Sequence, residues 1–142
     1  MASRDRRSRL ATATGRLGAA ALLGVGLDHL EQAVVAHYSA IPTIGTLFLA
    51  NFVSATLVAC GLAAPWQRLG GRAGRFAPPL LAVAGIGIAA GSLAGLLISE
   101  STGLFGFMET GYRSAIVLAI GLDVAVLVLL GAHLGTSRRP VG

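Results

Sequence analysis

The sequence predicts an all-α, polytopic membrane protein whose four transmembrane helices form an antiparallel bundle. Apolar residues make up 54% of the 142 residues and charged residues only 12%, and the mean hydropathy is +0.76. A soluble globule would need more polar residues to cover its surface. Backbone groups in lipid must be hydrogen-bonded internally, and the apolar runs lack the alternation of barrel strands, so helices are the predicted spans.

Four apolar stretches reach the roughly 20 residues that cross a hydrocarbon core of about 30 Å. They lie near residues 17–36, 43–64, 77–99 and 114–134, between a basic N-terminal segment, 1–16, and a C-terminal tail, 135–142. Prolines and glycines explain the breaks, because Pro42 suits a helix start, Pro65 closes the second span, and Pro78 and Pro79 follow a glycine-rich loop.

The positions of the arginines predict the orientation of the helices. Ten of the eleven basic residues flank the spans on one side, and only Arg113 lies on the other. The positive-inside rule then places both termini in the cytoplasm, and we expect a multi-pass protein of a bacterial cytoplasmic membrane. Arg6 and Arg7 also suggest a twin-arginine export signal, but the apolar run after them continues directly into Asp28.

Two aspartates interrupt the apolar spans, and each follows a Gly-Leu pair. At 1.5 Å per residue, Asp28 lies about 16 Å from the inner edge, Asp123 about 14 Å from the outer edge, and Asn51 about 12 Å below that edge. These depths share one layer near the midplane. Glu31 and Gln32 follow Asp28 at helical spacing, one turn further out. The sequence therefore predicts a polar site made by Asp28, Glu31, Gln32, Asn51 and Asp123.

Carboxyl groups at this depth require compensation, since each costs about 2.5 to 3.5 kcal/mol on insertion scales. No arginine lies at the same depth. Either the carboxyl groups are protonated and form hydrogen bonds that hold the helices together, or they bind a proton or cation reversibly. His29 is a secondary candidate, although it points about 100° away from Asp28 around the helix.

Gly87, Gly91 and Gly95 recur at four-residue intervals in the third span. This doubled GxxxG pattern predicts close helix packing. The partner helix belongs either to the same chain or to a second copy.

Catalysis, metal binding and nucleic-acid binding are not predicted. The chain has no nucleophile elbow, phosphate-binding loop or HExxH pair, and its single cysteine, Cys60, excludes an intramolecular disulfide and a CxxC site. The spacing of His29, Glu31, His37 and Glu109 matches no strong metal motif, and we expect no cofactor. Topology already explains the N-terminal arginines, so we expect no nucleic-acid partner.

Four spans with a midplane acid in the first resemble the small multidrug-resistance transporters, which exchange protons for organic cations as dimers. The resemblance is architectural, and Asp28 is the residue to which it extends. The second acid, Asp123, the longer basic termini and the strong charge bias depart from that family and disfavour its dual-orientation dimer. The stretch HYSAIPTIGTLFLANF, residues 37–52, is also similar to helix hairpins of small four-helix bacterial membrane proteins, which imply no activity.

These features favour a small non-catalytic membrane protein, an assembly or accessory subunit. Its partners would be the lipid bilayer and a second copy or a larger membrane complex. The alternative is a proton- or cation-coupled small-molecule transporter that uses Asp28 and Asp123.

Overall fold

A computed structural model describes residues 2–108 and 114–137. Glu109, Arg113, Arg138 and Arg139, which entered the sequence predictions, lie outside these ranges. The described residues form α1 (Ala2–Val34), a 3-10 turn (Tyr38–Ala40), α2 (Pro42–Ala63), α3 (Trp66–Leu69), α4 (Gly71–Ser101) and α5 (Ser114–Ser137). Four helices, α1, α2, α4 and α5, are long and apolar enough to cross a membrane. The predicted all-α class with four membrane-length helices is confirmed.

The first helix is much longer than the predicted span. It begins at Ala2 and includes the basic segment without a break, because no proline interrupts residues 2–34. Asp5 and Arg9 form an exposed i,i+4 ion pair of 3.2 Å within this segment. After α1 ends, His37 adopts a left-handed conformation with φ of 62° and the 3-10 turn follows.

The segment between α2 and α4 is also more helical than predicted. Trp66 begins the short helix α3, and its indole Nε1 donates to the Gly61 carbonyl at the end of α2, at 2.7 Å. Gly70 and Gly71, both with φ of 59°, then turn the chain into α4. Pro78 and Pro79 lie inside α4 and not at its start. Both lie beyond the first turn of the helix, so each removes an intrahelical hydrogen bond and its ring crowds the carbonyl group four residues earlier.

The four long helices enclose one small apolar core. Helix α1 packs against α2 and α5, and α4 packs against the same two helices. The buried core residues come in pairs from each helix: Leu22 and Val25, Ala55 and Ala59, Ala82 and Ala89, and Val126 and Leu130. Large apolar side chains such as Leu57, Leu80 and Val128 are more than 60% exposed on the outside, as expected for helices that face lipid.

A close approach between α1 and α2 depends on Gly26. A Cβ atom at this position would lie 3.3 Å from the Phe52 carbonyl oxygen, the Ala55 Cβ and the Thr56 Oγ1. The carbonyl oxygen belongs to the helix backbone and cannot rotate away. The absence of a side chain at Gly26 therefore sets the distance between the two helices.

We predict that Gly26→Leu separates α1 from α2 and destabilises the fold by about 1 to 3 kcal/mol, the usual range for overpacking. Gly121→Leu is the matched control, because Gly121 is exposed on α5 and nothing lies within 4 Å of a Cβ there. The measurement is the thermal transition of both variants in the same detergent. An equal or smaller loss of stability for Gly26→Leu would contradict the close approach.

Candidate functional site

A cavity of about 410 Å³ lies beside the apolar core. Its polar wall is formed by Asp28, His29 and Gln32 from α1, Asn51 from α2 and Ser92 from α4. Its remaining surface is mainly apolar and includes three aromatic rings, those of Tyr38, Phe48 and Phe107. The lining residues Ala50, Ser54, Gly87 and Gly91 are exposed. Because they lie on α2 and α4, the cavity opens between these two helices.

Asp28 is the acid that faces the cavity. Its side chain is partly buried, and it accepts no hydrogen bond from the described residues. The nearest acid on the same helix, Glu31, is exposed and does not line the cavity. Its Oε2 atom accepts a hydrogen bond of 2.6 Å from Gln32 Nε2. Asp28 therefore presents a carboxyl group whose oxygens are available to a bound molecule.

His29 is 8% exposed and held by three contacts. Its Nδ1 lies 2.9 Å from the Val25 carbonyl oxygen, and its Nε2 lies 3.4 Å from the Ser92 hydroxyl. Its ring centroid is 5.2 Å from that of Phe48. These contacts fix the orientation of the imidazole, and His29 shares the cavity wall with Asp28 although it follows Asp28 directly in the sequence.

Asp123 occupies a different environment from Asp28. It is 1% exposed, and its Oδ1 has no hydrogen-bond partner. It does not line the cavity but interacts with Ser92, which does. Asp28 is close enough to interact with it electrostatically. Asp123 therefore lies behind the cavity wall, in contact with the wall through Ser92.

Asn51 contributes a second buried acceptor without a partner. Its side chain lines the cavity from α2, and its Oδ1 is buried and makes no hydrogen bond. An unpaired amide oxygen in apolar surroundings costs free energy. It is therefore a ready acceptor for a donor group brought by a ligand or by water.

The structure brings together most, but not all, of the residues predicted for the polar site. Asp28, Gln32 and Asn51 line one cavity, Asp123 lies next to it, and Glu31 lies outside its lining. His29, the secondary candidate, is part of the wall.

Gly87, Gly91 and Gly95 also line the cavity. A Cβ atom at Gly87 or Gly91 would meet nothing within 4 Å, and one at Gly95 would meet only Leu104, at 3.9 Å. Within the described chain these glycines therefore leave space open and do not bring two helices together.

Sequence reasoning missed Ser92 and the aromatic wall. Ser92 is the only polar residue between 77 and 98, and that isolation was an available signal. The aromatic residues Tyr38, Phe48 and Phe107 are spread along the sequence, with 69 positions separating the first from the last. Tyr38 lies 5.3 Å from Phe48 and 5.4 Å from Phe107, centroid to centroid, and only the folded chain shows this.

We predict that Asn51→Leu stabilises the ligand-free protein by about 1 kcal/mol, because an apolar side chain of similar size removes an unpaired buried acceptor. Ser54→Ala, on the exposed side of the same helix, is the control and should have little effect. Thermal transitions in detergent measure both. Destabilisation by Asn51→Leu would mean that a partner already satisfies the amide oxygen.

The arrangement can hold a small, mostly apolar molecule and meet its polar group with a carboxyl, an imidazole and an amide. Among residues 2–108 and 114–137, no three His, Cys, Asp or Glu side chains are grouped closely enough to hold a metal ion. Comparison of the chain with known protein families, characterised proteins and solved structures gave no match.

Proposed function

We propose that the protein binds a small, largely apolar organic cation in this cavity and exchanges it for protons, as a proton-coupled membrane transporter. The observation that carries the proposal is the position of Asp28, whose carboxyl group faces an aromatic cavity and is not used in any hydrogen bond with the described residues. Ionisable groups inside a membrane protein commonly mark substrate or proton pathways. No enzymatic role is proposed.

The size and lining of the cavity support this class of ligand. A volume of about 410 Å³ falls within the usual range of roughly 300 to 1,000 Å³ for small-molecule sites. Aromatic rings attract cations through their faces, and Tyr38, Phe48 and Phe107 stand around the same space. Among the described residues, no arginine lines the cavity, so no permanently charged side chain there competes for the carboxylate.

The same carboxyl group provides the coupling. A proton and an organic cation would compete for Asp28, because either one neutralises its charge in surroundings of low dielectric constant. The opening between α2 and α4 gives an apolar cation a lateral route from the lipid. Release on the opposite side of the membrane would require a second conformation, in which the helices open the cavity to that side. A transporter must populate both conformations.

We predict that benzyltrimethylammonium binds the purified protein. Asp28→Asn should weaken this binding by about tenfold or more, because the attraction between the ammonium group and the carboxylate is lost. The affinity of the wild type should fall as the pH is lowered, because protonation removes the negative charge. Calorimetry in detergent, or fluorescence of Trp66 if binding alters it, measures the affinity.

Two controls sharpen the test. Asp5→Asn removes an exposed acid of the same helix, far from the cavity, and should leave the affinity unchanged. Neopentylbenzene, the neutral carbon analogue of the probe, should bind wild type and Asp28→Asn equally. Equal loss of both compounds on Asp28→Asn, or pH-independent binding of the cation, would refute the role of Asp28.

A second candidate function is that of an assembly or accessory subunit, as the sequence first suggested. The exposed faces of Gly87 and Gly91 on α4 favour it, since nothing in the described chain covers them. A helix from a second copy or a larger complex could approach closely along this face.

If this face joins two copies, Gly87→Leu together with Gly91→Leu should convert a dimer into a monomer in light scattering. Gly121→Leu and Gly131→Leu form the matched control pair, because a Cβ atom at these positions of α5 would also meet nothing within 4 Å. A wild-type protein that is already monomeric, or a dimer that survives the substitutions on α4, would exclude self-association through this face.

For either function we propose an antiparallel bundle with both termini in the cytoplasm of a bacterium. The distribution of the arginines supports this orientation: Arg4, Arg6, Arg7, Arg9, Arg16, Arg68, Arg72, Arg75, Arg138 and Arg139 on one side against Arg113 on the other. The opening of the cavity would then face the lipid of the inner membrane.

A further inference from the structure

The hydrogen bonds of His29 determine which of its nitrogens carries a proton. A carbonyl oxygen only accepts, so the Nδ1 atom that lies 2.9 Å from the Val25 carbonyl must carry hydrogen. In the neutral imidazole, Nε2 is then an acceptor. The group facing it is the Ser92 hydroxyl, at 3.4 Å, which must donate its single hydrogen toward the ring.

Ser92 also interacts with the Asp123 carboxyl on α5. If its hydrogen points to His29, only the lone pairs of Ser92 Oγ face Asp123, and a hydrogen bond between them requires a protonated carboxyl. The reverse arrangement is equally complete. A doubly protonated His29 donates from Nε2 to Ser92, and Ser92 donates to an ionised Asp123. Both arrangements contain the same number of protons.

We propose that Asp123, Ser92 and His29 form a proton path that connects a sealed acid on α5 to the cavity. In one transfer, the Asp123 O–H bond breaks as its proton bonds to Ser92 Oγ, while the original Ser92 proton bonds to His29 Nε2. The products are a carboxylate and an imidazolium, and the hydroxyl is regenerated. His29 then releases this proton to water or a ligand in the cavity that it lines, after a rotation of the ring that turns the protonated Nε2 from Ser92 toward the cavity.

Because Asp123 is buried away from the cavity, its proton can reach the cavity only through neighbouring side chains. Asp123 is 1% exposed and does not line the cavity, whereas Ser92 and His29 both do. The other charged or titratable groups of the described residues near this path are few. Helix α1 provides Asp28 in the cavity wall and the exposed Glu31, and the 3-10 turn provides Tyr38. No lining residue of α2 is titratable, and Glu100 of α4 lies eight residues beyond Ser92, about 12 Å along the helix.

Hydrogen–deuterium exchange of the Asp123 carboxyl tests the path. Infrared difference spectra in lipid, recorded after transfer to D2O without any added cation, follow the carboxyl band that disappears in Asp123→Asn. We expect wild type to exchange this proton, and Ser92→Ala and His29→Gln to slow the exchange at least about tenfold, because each removes one proton carrier. Ser92→Thr keeps the hydroxyl and should restore the rate.

Ser54→Ala is the matched control, since Ser54 also lines the cavity but lies on α2, and it should exchange like wild type. An exchange rate that Ser92→Ala leaves unchanged would overturn the path. So would a wild-type protein in which ¹⁵N spectra show a neutral His29 while Asp123 gives no protonated-carboxyl band, because the shared proton would then be missing. The experiment needs no organic cation, so its outcome is independent of the binding proposed for Asp28.

Discussion

Polar groups inside the helix assembly must find partners within it, because apolar surroundings supply none. This constraint weighs most on Asp123, whose Oδ1 has no hydrogen-bond partner among the described residues and which is buried between helices whose facing residues are mostly Ala, Val and Leu. Its position next to Ser92 ties α5 to α4, and the position of Ser92 next to His29 ties α4 to α1. Three of the four long helices are therefore linked by polar contacts at one place. The apolar core, in contrast, holds the helices together by close packing alone.

Glycine serves two opposite purposes in this fold. At Gly26 the missing side chain allows α1 and α2 to approach each other closely, with the Phe52 carbonyl 3.3 Å from where a Cβ would be. At Gly87 and Gly91 the missing side chains leave room between α2 and α4, and the cavity occupies that room. The difference lies in the surroundings of each glycine, and a four-residue glycine spacing alone does not distinguish a contact from an opening.

Which residues lie at a similar level along neighbouring helices was predictable from the sequence, but the direction of a side chain around its helix was not. Counting residues placed Asp28 and Asn51 in one layer, and both line the cavity. The same counting grouped Glu31 with Gln32, yet Gln32 lines the cavity and Glu31 is exposed, because neighbouring residues point about 100° apart and the packing of α1 decides which one faces inward. Hydropathy located the spans but could not show that α1 continues through its basic segment. It detects only the apolar part of a helix, whereas charged residues such as arginine are also good helix formers outside the membrane.

The two Gly-Leu-Asp sequences end in acids that differ in their access to the cavity, and this difference suggests that the two acids have different roles. Asp28 lines the cavity, whereas Asp123 does not and would reach it only by the path proposed through Ser92 and His29. A carboxyl group that contacts the ligand must give up its proton when a cation binds. A sealed carboxyl nearby, electrostatically coupled to the first, can retain a proton at that moment and so limit the charge that accumulates in the low-dielectric interior. Under the proposed exchange of a cation for protons, two neighbouring acids of different exposure would be more useful than one, because one would exchange its partner while the other kept the site close to neutral.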